Sequence, residues 1–444
     1  MTCTAMDSSP QLPSGPSSIP AHRRASDSLE ESISTPQNSK APEVLDLRNK
    51  SASCSVFELA NRYTVKKVIG KGAFGCVVAG EDEFGNPVAI KKLSHAVSDS
   101  RSSRRLLREL RFLRHVRGHP NVISVEDVVV KQRGGEVDVY IVTELMEADL
   151  EQIIKSSQAL TTEHVRCLIF QIINGLRHIH SAGIVHRDLK PANMIVDSEC
   201  RLKICDLGLS RHIADPSVSQ HYDAKFTDYV VTRWYRAPEL LLGNRIYDHK
   251  VDLWAAGCIL GELLGRKALF KGSDTGDMLR KQVGVIGSPS EADLAMLTGD
   301  EAARNYMRKM PVRPRVNSFE LFPGGDLAAL ELLDSLLQWD SRRRIGADEA
   351  LRSSFLLELF EPASSLATNH CELAAISCGS LGSEQVTNLI FLEGALWRTR
   401  SGHRCSPIDL EMRSNPRVPH FCACSCGQKF RRGCDFLQHL EGLA

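Results

Sequence analysis

A series of short motifs follows a fixed order along this chain and constrains its fold more than any other feature. A glycine-rich stretch covers residues 70–77, and the string Val-Ala-Ile-Lys ends at Lys91. His-Arg-Asp-Leu-Lys-Pro-Ala-Asn covers residues 186–193, Asp-Leu-Gly begins at Asp206, and Ala-Pro-Glu ends at Glu239. Any one of these strings can arise by chance. Their shared order at domain-scale spacing is not accidental and indicates one large functional domain.

The ordered motifs resemble those of a protein kinase. The resemblance implies an α+β fold of two lobes, a strand-rich N-lobe and a helical C-lobe. Hydrophobic periodicity favours the same layout, because short apolar runs between glycine turns predict strands and a spacing of three and four predicts helices. The predicted strands cover residues 64–69, 75–79, 87–91, 122–130 and 137–142. The predicted helices include residues 101–114, 165–180, 253–264 and 327–337.

The bulk properties of the chain argue against several functional classes. A formal net charge of +1 gives no general attraction to nucleic acid or to a membrane surface, so neither is expected as a partner. The first residues lack the apolar core of a signal peptide, and the sequence has no apolar run of the roughly 18 residues that span a bilayer. We therefore expect a cytoplasmic location, a nuclear location, or both. Cysteines there are expected to be free thiols or metal ligands rather than disulfides.

Composition predicts how the chain is organised. Residues 1–56 are rich in Ser and Pro and poor in periodic apolar residues, so we predict a disordered N-terminal segment. Residues 57–361 form the predicted kinase domain, with the N-lobe at about 57–143 and the C-lobe at about 147–361. Residues 362–444 share no kinase motif and carry many cysteines, which marks a separate tail.

The glycine-rich stretch and Lys91 form the predicted ATP site. Because glycine has no side chain, the backbone of this loop can approach the nucleotide phosphates. The resemblance implies that Lys91 pairs with two of these phosphates, that Glu109 on the following helix holds Lys91, and that backbone groups of Glu144 and Met146 meet the adenine. The complete predicted nucleotide-binding set is Ile69, Gly70, Gly72, Gly75, Val77, Ala89, Lys91, Glu144, Met146 and Asp149.

The later motifs supply the predicted catalytic and metal-binding groups. Asp188 is the candidate base that accepts or orients the proton of a substrate hydroxyl. Asn193 and Asp206 offer oxygen ligands, which suit Mg²⁺ bound to phosphate oxygens. Lys190 can neutralise charge on the transferring phosphoryl group, and kinases with a lysine here act on Ser and Thr.

The resemblance narrows to one family of the CMGC group at residues 226–239. The run Phe-Thr-Asp-Tyr-Val-Val-Thr-Arg-Trp-Tyr-Arg-Ala-Pro-Glu is similar to the activation loop of a mitogen-activated protein kinase, in the less common Thr-Asp-Tyr variant. Family-like stretches follow at residues 286–294, 302–306 and 322–323. The resemblance covers residues 57–361.

This family resemblance implies a switch based on two phosphates. Thr227 and Tyr229 are the implied phosphosites, and their phosphates order the loop by pairing with arginines. The implied partners are an upstream dual-specificity kinase, phosphatases, and protein substrates with Ser or Thr before Pro. Arg344 is expected to pair with Glu239 inside the C-lobe. The arginines expected around the phosphates are Arg105, Arg187, Arg211, Arg233 and Arg236.

Three further positions depart from the usual pattern or leave alternatives open. Leu207 replaces the usual Phe, but it is still apolar and can fill an internal hydrophobic spine. Cys205 is either a reactive thiol or a buried inert one. The docking patch of the family carries an acidic pair that residues 363–365 do not supply, so docking of basic partner peptides there stays open.

Part of the tail fits a zinc-finger template, in which cysteine and histidine ligands surround one ion. The fitting positions are Cys422, Cys426, Phe430, Phe436 and His439. A second histidine is missing, so the fourth Zn²⁺ ligand would come from Cys424 or Cys434. The alternative is a disordered cysteine-rich extension, and the sequence leaves both open.

Two other functional classes compete with an active mitogen-activated kinase. One is a pseudokinase that serves as a scaffold, and the complete set of catalytic and magnesium-binding residues argues against it. The other is a cyclin-dependent enzyme that needs a regulatory subunit. Tyr229 and the insert-like stretch at residues 286–294 argue against that class.

Overall fold

Short apolar runs and glycine turns build a five-stranded antiparallel sheet in the N-lobe. This computed structural model describes Leu59 and residues 62–72, 75–213, 232–244, 247–360 and 381–400. The strands of the sheet are β1 (Tyr63–Gly72), β2 (Gly75–Asp82), β3 (Pro87–Leu93), β4 (Val125–Arg133) and β5 (Glu136–Glu144). They pair in the order β1-β2-β3-β5-β4, so β3, which carries Lys91, lies at the centre of the sheet.

One long helix, α1 (Ser100–His115), follows the third strand. Its N-terminus is capped by Asp99, whose side chain accepts a hydrogen bond from the backbone N–H of Ser102. The apolar face of the helix is buried, and it includes Leu106, Leu107 and Leu110. The helix predicted at residues 101–114 is confirmed, because its leucine spacing matches one buried face.

The C-lobe is mostly helical, and its core surrounds α5. Nearly every residue of α5 is buried, so this helix is apolar all round. The helices are α2 (Leu150–Lys155), α3 (Thr162–Ser181), α4 (Pro238–Leu241), α5 (Lys250–Gly265), α6 (Thr275–Ile286), α7 (Glu291–Leu297), α8 (Glu301–Arg308), α9 (Ser318–Leu321), α10 (Leu327–Leu336) and α11 (Ala347–Leu351). The predicted α+β fold of two lobes is confirmed.

Short strands below the N-lobe sheet position the candidate site. They are β6 (Ala148–Asp149), β7 (Ile184–Val185), β8 (Met194–Val196), β9 (Leu202–Ile204) and β10 (Arg211–His212). The strands β8 and β9 form an antiparallel hairpin with β6 at its edge, and β10 pairs with β7. Asn193 directly precedes β8 and Asp206 follows β9, so the hairpin places both residues at the same end.

The fourth strand begins later than the sequence predicts. The prediction covers residues 122–130, whereas β4 spans Val125–Arg133. Residues before it are bonded to the C-lobe instead: Ile123 N–H donates to Ile204 O at 3.0 Å, and Ile204 N–H donates to Asn121 O at 2.9 Å. Backbone groups bonded to β9 are not available to the N-lobe sheet, so the strand starts after them.

A helix in the tail, α12 (Ser383–Arg400), corrects part of the prediction for residues 362–444. Instead of being disordered or zinc-finger-like, this part packs against α1 and β4. Val386, Ile390 and Trp397 are buried in that contact. Gly394 lets the helix approach closely, since a Cβ there would lie 2.8 Å from Val130 Cγ2.

A buried ion pair fixes the segment that follows the activation loop. Arg344 is fully buried, and its Nη1 and Nη2 atoms lie 2.7 and 3.1 Å from the carboxylate oxygens of Glu239. The same guanidinium donates to Gln338 O and Lys250 O, so it joins several C-lobe segments. The pair predicted from the sequence is present. Within the described residues, every helix is too short or too polar to cross a bilayer.

Candidate active site

The glycine-rich stretch closes the hairpin between β1 and β2. Gly72 pairs with Gly75, while residues 73–74 lie outside the described part of the chain. Gly75 has a φ of 139°, and a Cβ there would lie 1.9 Å from Lys92 O. Only glycine fits at this position, because a side chain would collide with the backbone of β3. Gly70 lies opposite Val77, within the same hairpin.

The central strand presents Lys91 to α1. Its Nζ atom lies 2.9 Å from Glu109 Oε1, and the Glu109 side chain is largely buried. Arg105, one turn earlier on α1, lies 3.7 Å from Asp206 Oδ1. The helix therefore contacts both the phosphate-binding lysine and the metal-binding aspartate predicted from the sequence.

Charges at this point keep both groups ionised. Burial alone would lower the pKa of Lys91, but the carboxylates of Glu109 and Asp206 outweigh it, so this pKa lies above its ordinary value. Burial raises the pKa of Asp206, but the positive charges of Lys91 and Arg105 outweigh burial and lower the pKa. A cationic amine and an anionic carboxylate therefore face the same space.

The catalytic-loop residues converge on Asp188. Lys190 Nζ lies 2.7 Å from Asp188 Oδ2, and Asn193 Nδ2 donates to Asp188 O at 2.8 Å and to Oδ2 at 3.2 Å. Asp188 is nearly buried, at 9% exposure. These contacts fix the carboxylate beside a lysine, which is the geometry needed to orient a hydroxyl next to a charged phosphoryl group.

A buried carboxylate on α5 supports the loop from below. Asp252 accepts hydrogen bonds from the backbone N–H groups of His186 and Arg187 at 2.8 Å each, and from His180 Nε2 at 2.9 Å. Burial raises the pKa of Asp252, but these bonds, first that from His180, outweigh burial and lower the pKa. Asp252 belongs to none of the motifs found in the sequence. The one signal for it in the sequence is that a charged residue stands in an apolar run, two residues before Trp254.

The two candidate magnesium ligands are tied together through Cys205. Its N–H and Sγ donate to Asn193 O at 3.0 and 3.3 Å. Asn193 uses its Nδ2 group toward Asp188, which leaves the amide oxygen for a cation, and Asp206 is an ionised carboxylate. These hard oxygen donors fit Mg²⁺. Burial, with the nearby Asp206 carboxylate, raises the pKa of Cys205 to about 12, so the sequence alternative of an inert thiol is favoured.

The comparisons with known proteins agree with this geometry. The family described as "Protein kinase domain" matches residues 63–356. "Mitogen-activated protein kinase 2" of Arabidopsis thaliana is 40% identical over 342 residues, which are 76% of this chain and 89% of the relative. "Mitogen-activated protein kinase 4" of Oryza sativa subsp. japonica is 42% identical over 311 residues, 69% of this chain and 82% of the relative. This chain belongs to the mitogen-activated protein kinase family.

One relative is much longer than the matched region. "Extracellular signal-regulated kinase 1" of Dictyostelium discoideum is 42% identical over 310 residues, which are 69% of this chain and 57% of that protein. Protein kinase domains use ATP and Mg²⁺ in general.

The predicted adenine site lies where β5 leaves the N-lobe. Ala89 pairs with Thr143 in the register of β3 and β5. The Glu144 side chain turns away, because its Oε1 accepts from Ser124 N–H at 3.0 Å and pairs with Lys203 at 2.9 Å. The backbone of Glu144 is therefore the part of this residue that remains available to bind the adenine base. Met146 follows on the connecting segment, and Ile69 lies exposed on β1.

Asp149 has a structural task besides its predicted ribose contact. Its Oδ1 accepts from Gln152 N–H at 2.8 Å, which caps α2. The Oδ2 atom accepts from Gln152 Nε2 at 2.6 Å. A ribose hydroxyl would share this carboxylate with the helix cap.

The arginines predicted to bind phosphate start from different elements. Arg105 lies on α1, Arg187 lies on the catalytic loop, and Arg211 lies on β10. The guanidinium of Arg187 is 5.5 Å from the centroid of the Tyr247 ring. Arg211 Nη1 donates to Ser210 O at 2.9 Å. Arg233 and Arg236 follow the activation loop, where Arg236 N–H donates to Arg233 O at 3.0 Å. The predicted phosphosites Thr227 and Tyr229 lie outside the described residues.

The remaining sequence predictions concern the spine and the tail. Leu207 is buried in the core, as expected of an apolar residue that replaces Phe. The zinc-finger-like positions lie beyond residue 400 and outside the described chain. Among the described residues, no cluster of three or more His, Cys, Asp or Glu side chains has the arrangement of a metal site.

Proposed function

We propose that this kinase transfers the γ-phosphate of ATP to a Ser or Thr hydroxyl that precedes Pro. The observation that carries the proposal is the set of contacts that holds Lys91 beside Glu109 and Asp206, and Asp188 beside Lys190 and Asn193. ATP would supply the phosphoryl group, and Asn193 and Asp206 would hold Mg²⁺, which offsets phosphate charge when it is bound.

The residues of the chain contribute position and charge. Asp188 Oδ2 is held by Lys190 and Asn193, so it can receive the hydrogen bond of the substrate hydroxyl and orient the oxygen for attack. Lys91, held by Glu109, positions the phosphates that stay behind. The ammonium group of Lys190 stabilises negative charge on the transferring group.

We propose that phosphates on Thr227 and Tyr229 activate the kinase. Arg105, Arg187 and Arg211 would meet the first phosphate, and Arg233 and Arg236 the second. Each phosphate adds close to two negative charges, which favours bidentate arginine pairs and an ordered loop. Arg105 already reaches Asp206, so an ordered loop would act on α1 and on the metal site together.

The cellular context follows from the same proposal. An upstream dual-specificity kinase adds the two phosphates, phosphatases remove them, and the substrates are proteins with Ser-Pro or Thr-Pro sites. We expect the kinase in the cytoplasm, the nucleus, or both, which imaging of a tagged full-length chain would test. Zn²⁺ in the tail, held by Cys422, Cys426 and His439, stays a prediction that metal analysis of the full-length chain would test.

A matched pair of lysine variants tests the catalytic assignment. Lys91→Met should lower turnover of a Ser-Pro peptide by about 100-fold or more, because it removes a charge held at the phosphates. Lys66→Met is the control, since Lys66 is an exposed residue of β1 that pairs with Glu81 at the surface. A Ser-Ala peptide should be a poor substrate. Equal activity of the two variants would refute the site, and equal use of both peptides would refute the proline requirement.

A further inference from the structure

The strand β9, which leads into the candidate metal site, is held along its outer edge by two kinds of partner. Ile204 N–H donates to Asn121 O at 2.9 Å, and Ile123 N–H donates to Ile204 O at 3.0 Å, as in a parallel strand pair. Leu202, two residues earlier on the same edge, is bonded to side-chain amides instead. Its N–H donates to Gln171 Oε1 at 2.7 Å, and its O accepts from Asn121 Nδ2 at 3.1 Å.

Gln171 joins three segments of the chain at this edge. It lies on α3 in the C-lobe, and its Oε1 atom also accepts from Asn121 Nδ2 at 3.1 Å. Its Nε2 group donates to Cys200 O at 2.8 Å, in the turn between β8 and β9. Asn174, almost one turn later on α3, donates through Nδ2 to Asn121 Oδ1 at 2.9 Å. The two amides of α3 therefore hold the start of β9 and the segment before β4 together.

The path from these amides to the candidate magnesium site is short. Ile204 is followed by Cys205, whose N–H donates to Asn193 O at 3.0 Å, and then by Asp206. Asp206 has a left-handed backbone with a φ of 63°, which a non-glycine residue keeps only when its surroundings enforce it. The strand β9 is fixed by β8 on one edge and by the amides on the other. The direction of the Asp206 carboxylate therefore depends on both edges.

We propose that Gln171 is a positioning residue for Mg²⁺ binding, which acts through β9 on the carboxylate of Asp206. This inference rests on the proposed use of Mg²⁺ and ATP. Without the amide, Leu202 N–H and Cys200 O lose their partners, so the start of β9 shifts away from α3. The bonds of Ile204 remain, so the strand still forms. Because Mg²⁺ demands near-ideal octahedral geometry, a small displacement of one ligand weakens its binding.

The side of the site that carries Lys91 should respond differently. Lys91 is held by Glu109, and this contact joins β3 to α1 within the N-lobe. Loss of the Gln171 amide should therefore weaken nucleotide binding where it depends on Mg²⁺, and leave binding without Mg²⁺ unchanged. A merely structural role would lower both, because a partly unfolded chain binds nucleotide poorly in either condition.

Calorimetric titration of the full-length kinase with a non-hydrolysable ATP analogue, with and without Mg²⁺, separates these outcomes. Gln171→Met keeps the length of the side chain but removes the amide donor and the strong acceptor. It should reduce the gain in affinity that Mg²⁺ gives by about 10-fold, the usual effect of losing a group that orients a metal ligand. Gln338→Met is the matched control, because that amide donates to Asp334 O at 2.7 Å elsewhere in the C-lobe. The control should bind like the parent in both conditions.

Turnover gives a second readout of the same split. In Gln171→Met, the Mg²⁺ concentration for half-maximal turnover of a Ser-Pro peptide should rise by about 10-fold, while turnover at saturating Mg²⁺ should approach that of the parent. If Gln171→Met does not fold, as judged by circular dichroism, Asn174→Ala decides. It removes only the bond that orients Asn121 toward Leu202 O, so the Mg²⁺ requirement should rise several-fold.

The possible failures can be told apart. A folded variant with the Mg²⁺ dependence of the parent would overturn the role of Gln171, and so would an equal loss of affinity with and without Mg²⁺. A parent whose nucleotide affinity and turnover do not respond to Mg²⁺ would refute the proposed use of Mg²⁺, and this inference with it.

Discussion

The ion pair between α12 and α1 makes a sharp test of why the tail helix forms. Glu393 is almost fully buried on α12 and meets two arginines of α1. Arg111 Nε donates to Glu393 Oε1 at 3.3 Å, Arg114 Nη2 donates to Oε1 at 3.0 Å, and Arg114 Nε lies 2.9 Å from Oε2. Arg104 Nη2 also donates to Leu381 O, at the start of the tail segment, at 2.8 Å.

Glu393→Gln should lower the free energy of unfolding by about 3 kcal/mol. Removing one member of a buried ion pair costs about 3–5 kcal/mol, because the remaining charges lose their partner in a dry place. The side chains of Arg111 and Arg114 keep 10% and 22% exposure, so water recovers part of the loss and the lower end applies. A loss of about 3 kcal/mol reduces the ratio of folded to unfolded protein by roughly 100-fold.

Urea unfolding of the full-length kinase measures this change, with Glu384→Gln as the matched control. Glu384 lies exposed in the first turn of the same helix, so its variant should stay within about 0.5 kcal/mol of the parent. Hydrogen exchange should also speed up across Ser383–Arg400 in the Glu393 variant alone. If both variants unfold at the same urea concentration, the ion pair does not hold the helix and the reasoning fails.

The other predictions concern the switch and the pH dependence of stability. Thr227→Ala and Tyr229→Phe should each leave the stimulated kinase with low activity. A peptide assay after treatment with the upstream kinase measures this activity. A full response of the double variant would refute control by phosphorylation. Burial, with a smaller effect of His178, lowers the pKa of His119 to about 3, so between pH 6.5 and 3 the unfolded chain binds the extra proton. The free energy of unfolding should therefore fall by about 2 kcal/mol between pH 7 and pH 5. In urea titrations, His119→Gln should reduce this loss, whereas the control His95→Gln, at an exposed position, should not.

The candidate catalytic residues could be located from the sequence because each lies in a short local pattern. Lys91 follows Val-Ala-Ile on a strand, and Asp188, Lys190 and Asn193 share a single string of residues, so no knowledge of distant contacts was needed. The secondary structure around them was equally local, as the apolar spacing of α3 shows. The helix was predicted to cover residues 165–180, and it spans Thr162–Ser181. It begins earlier than predicted because a capping box at Thr161 adds the first turn.

Features that depend on distant contacts were not predictable in this way. The apolar residues of α12 are helical in spacing, but a helix of this kind is stable only against a partner surface, and that surface lies on α1 and β4. The cysteines elsewhere in residues 362–444 led instead to the two alternatives of a disordered or a zinc-finger-like tail. The start of β4 was misplaced for the same reason, since the backbone of Ile123 is bonded to β9.

The helix α1 links these long-range contacts to the chemistry. With 3.6 residues per turn, Arg105 and Glu109 lie on one side of the helix, while Arg111 and Arg114 lie roughly opposite. The first side reaches Asp206 and Lys91, and the second reaches Glu393. Because one rigid helix carries both sets of contacts, a change that releases α12 also frees the helix that positions Lys91. Loss of Glu393 should therefore disturb the position of Lys91 at the predicted ATP site as well as lower the stability of the N-lobe.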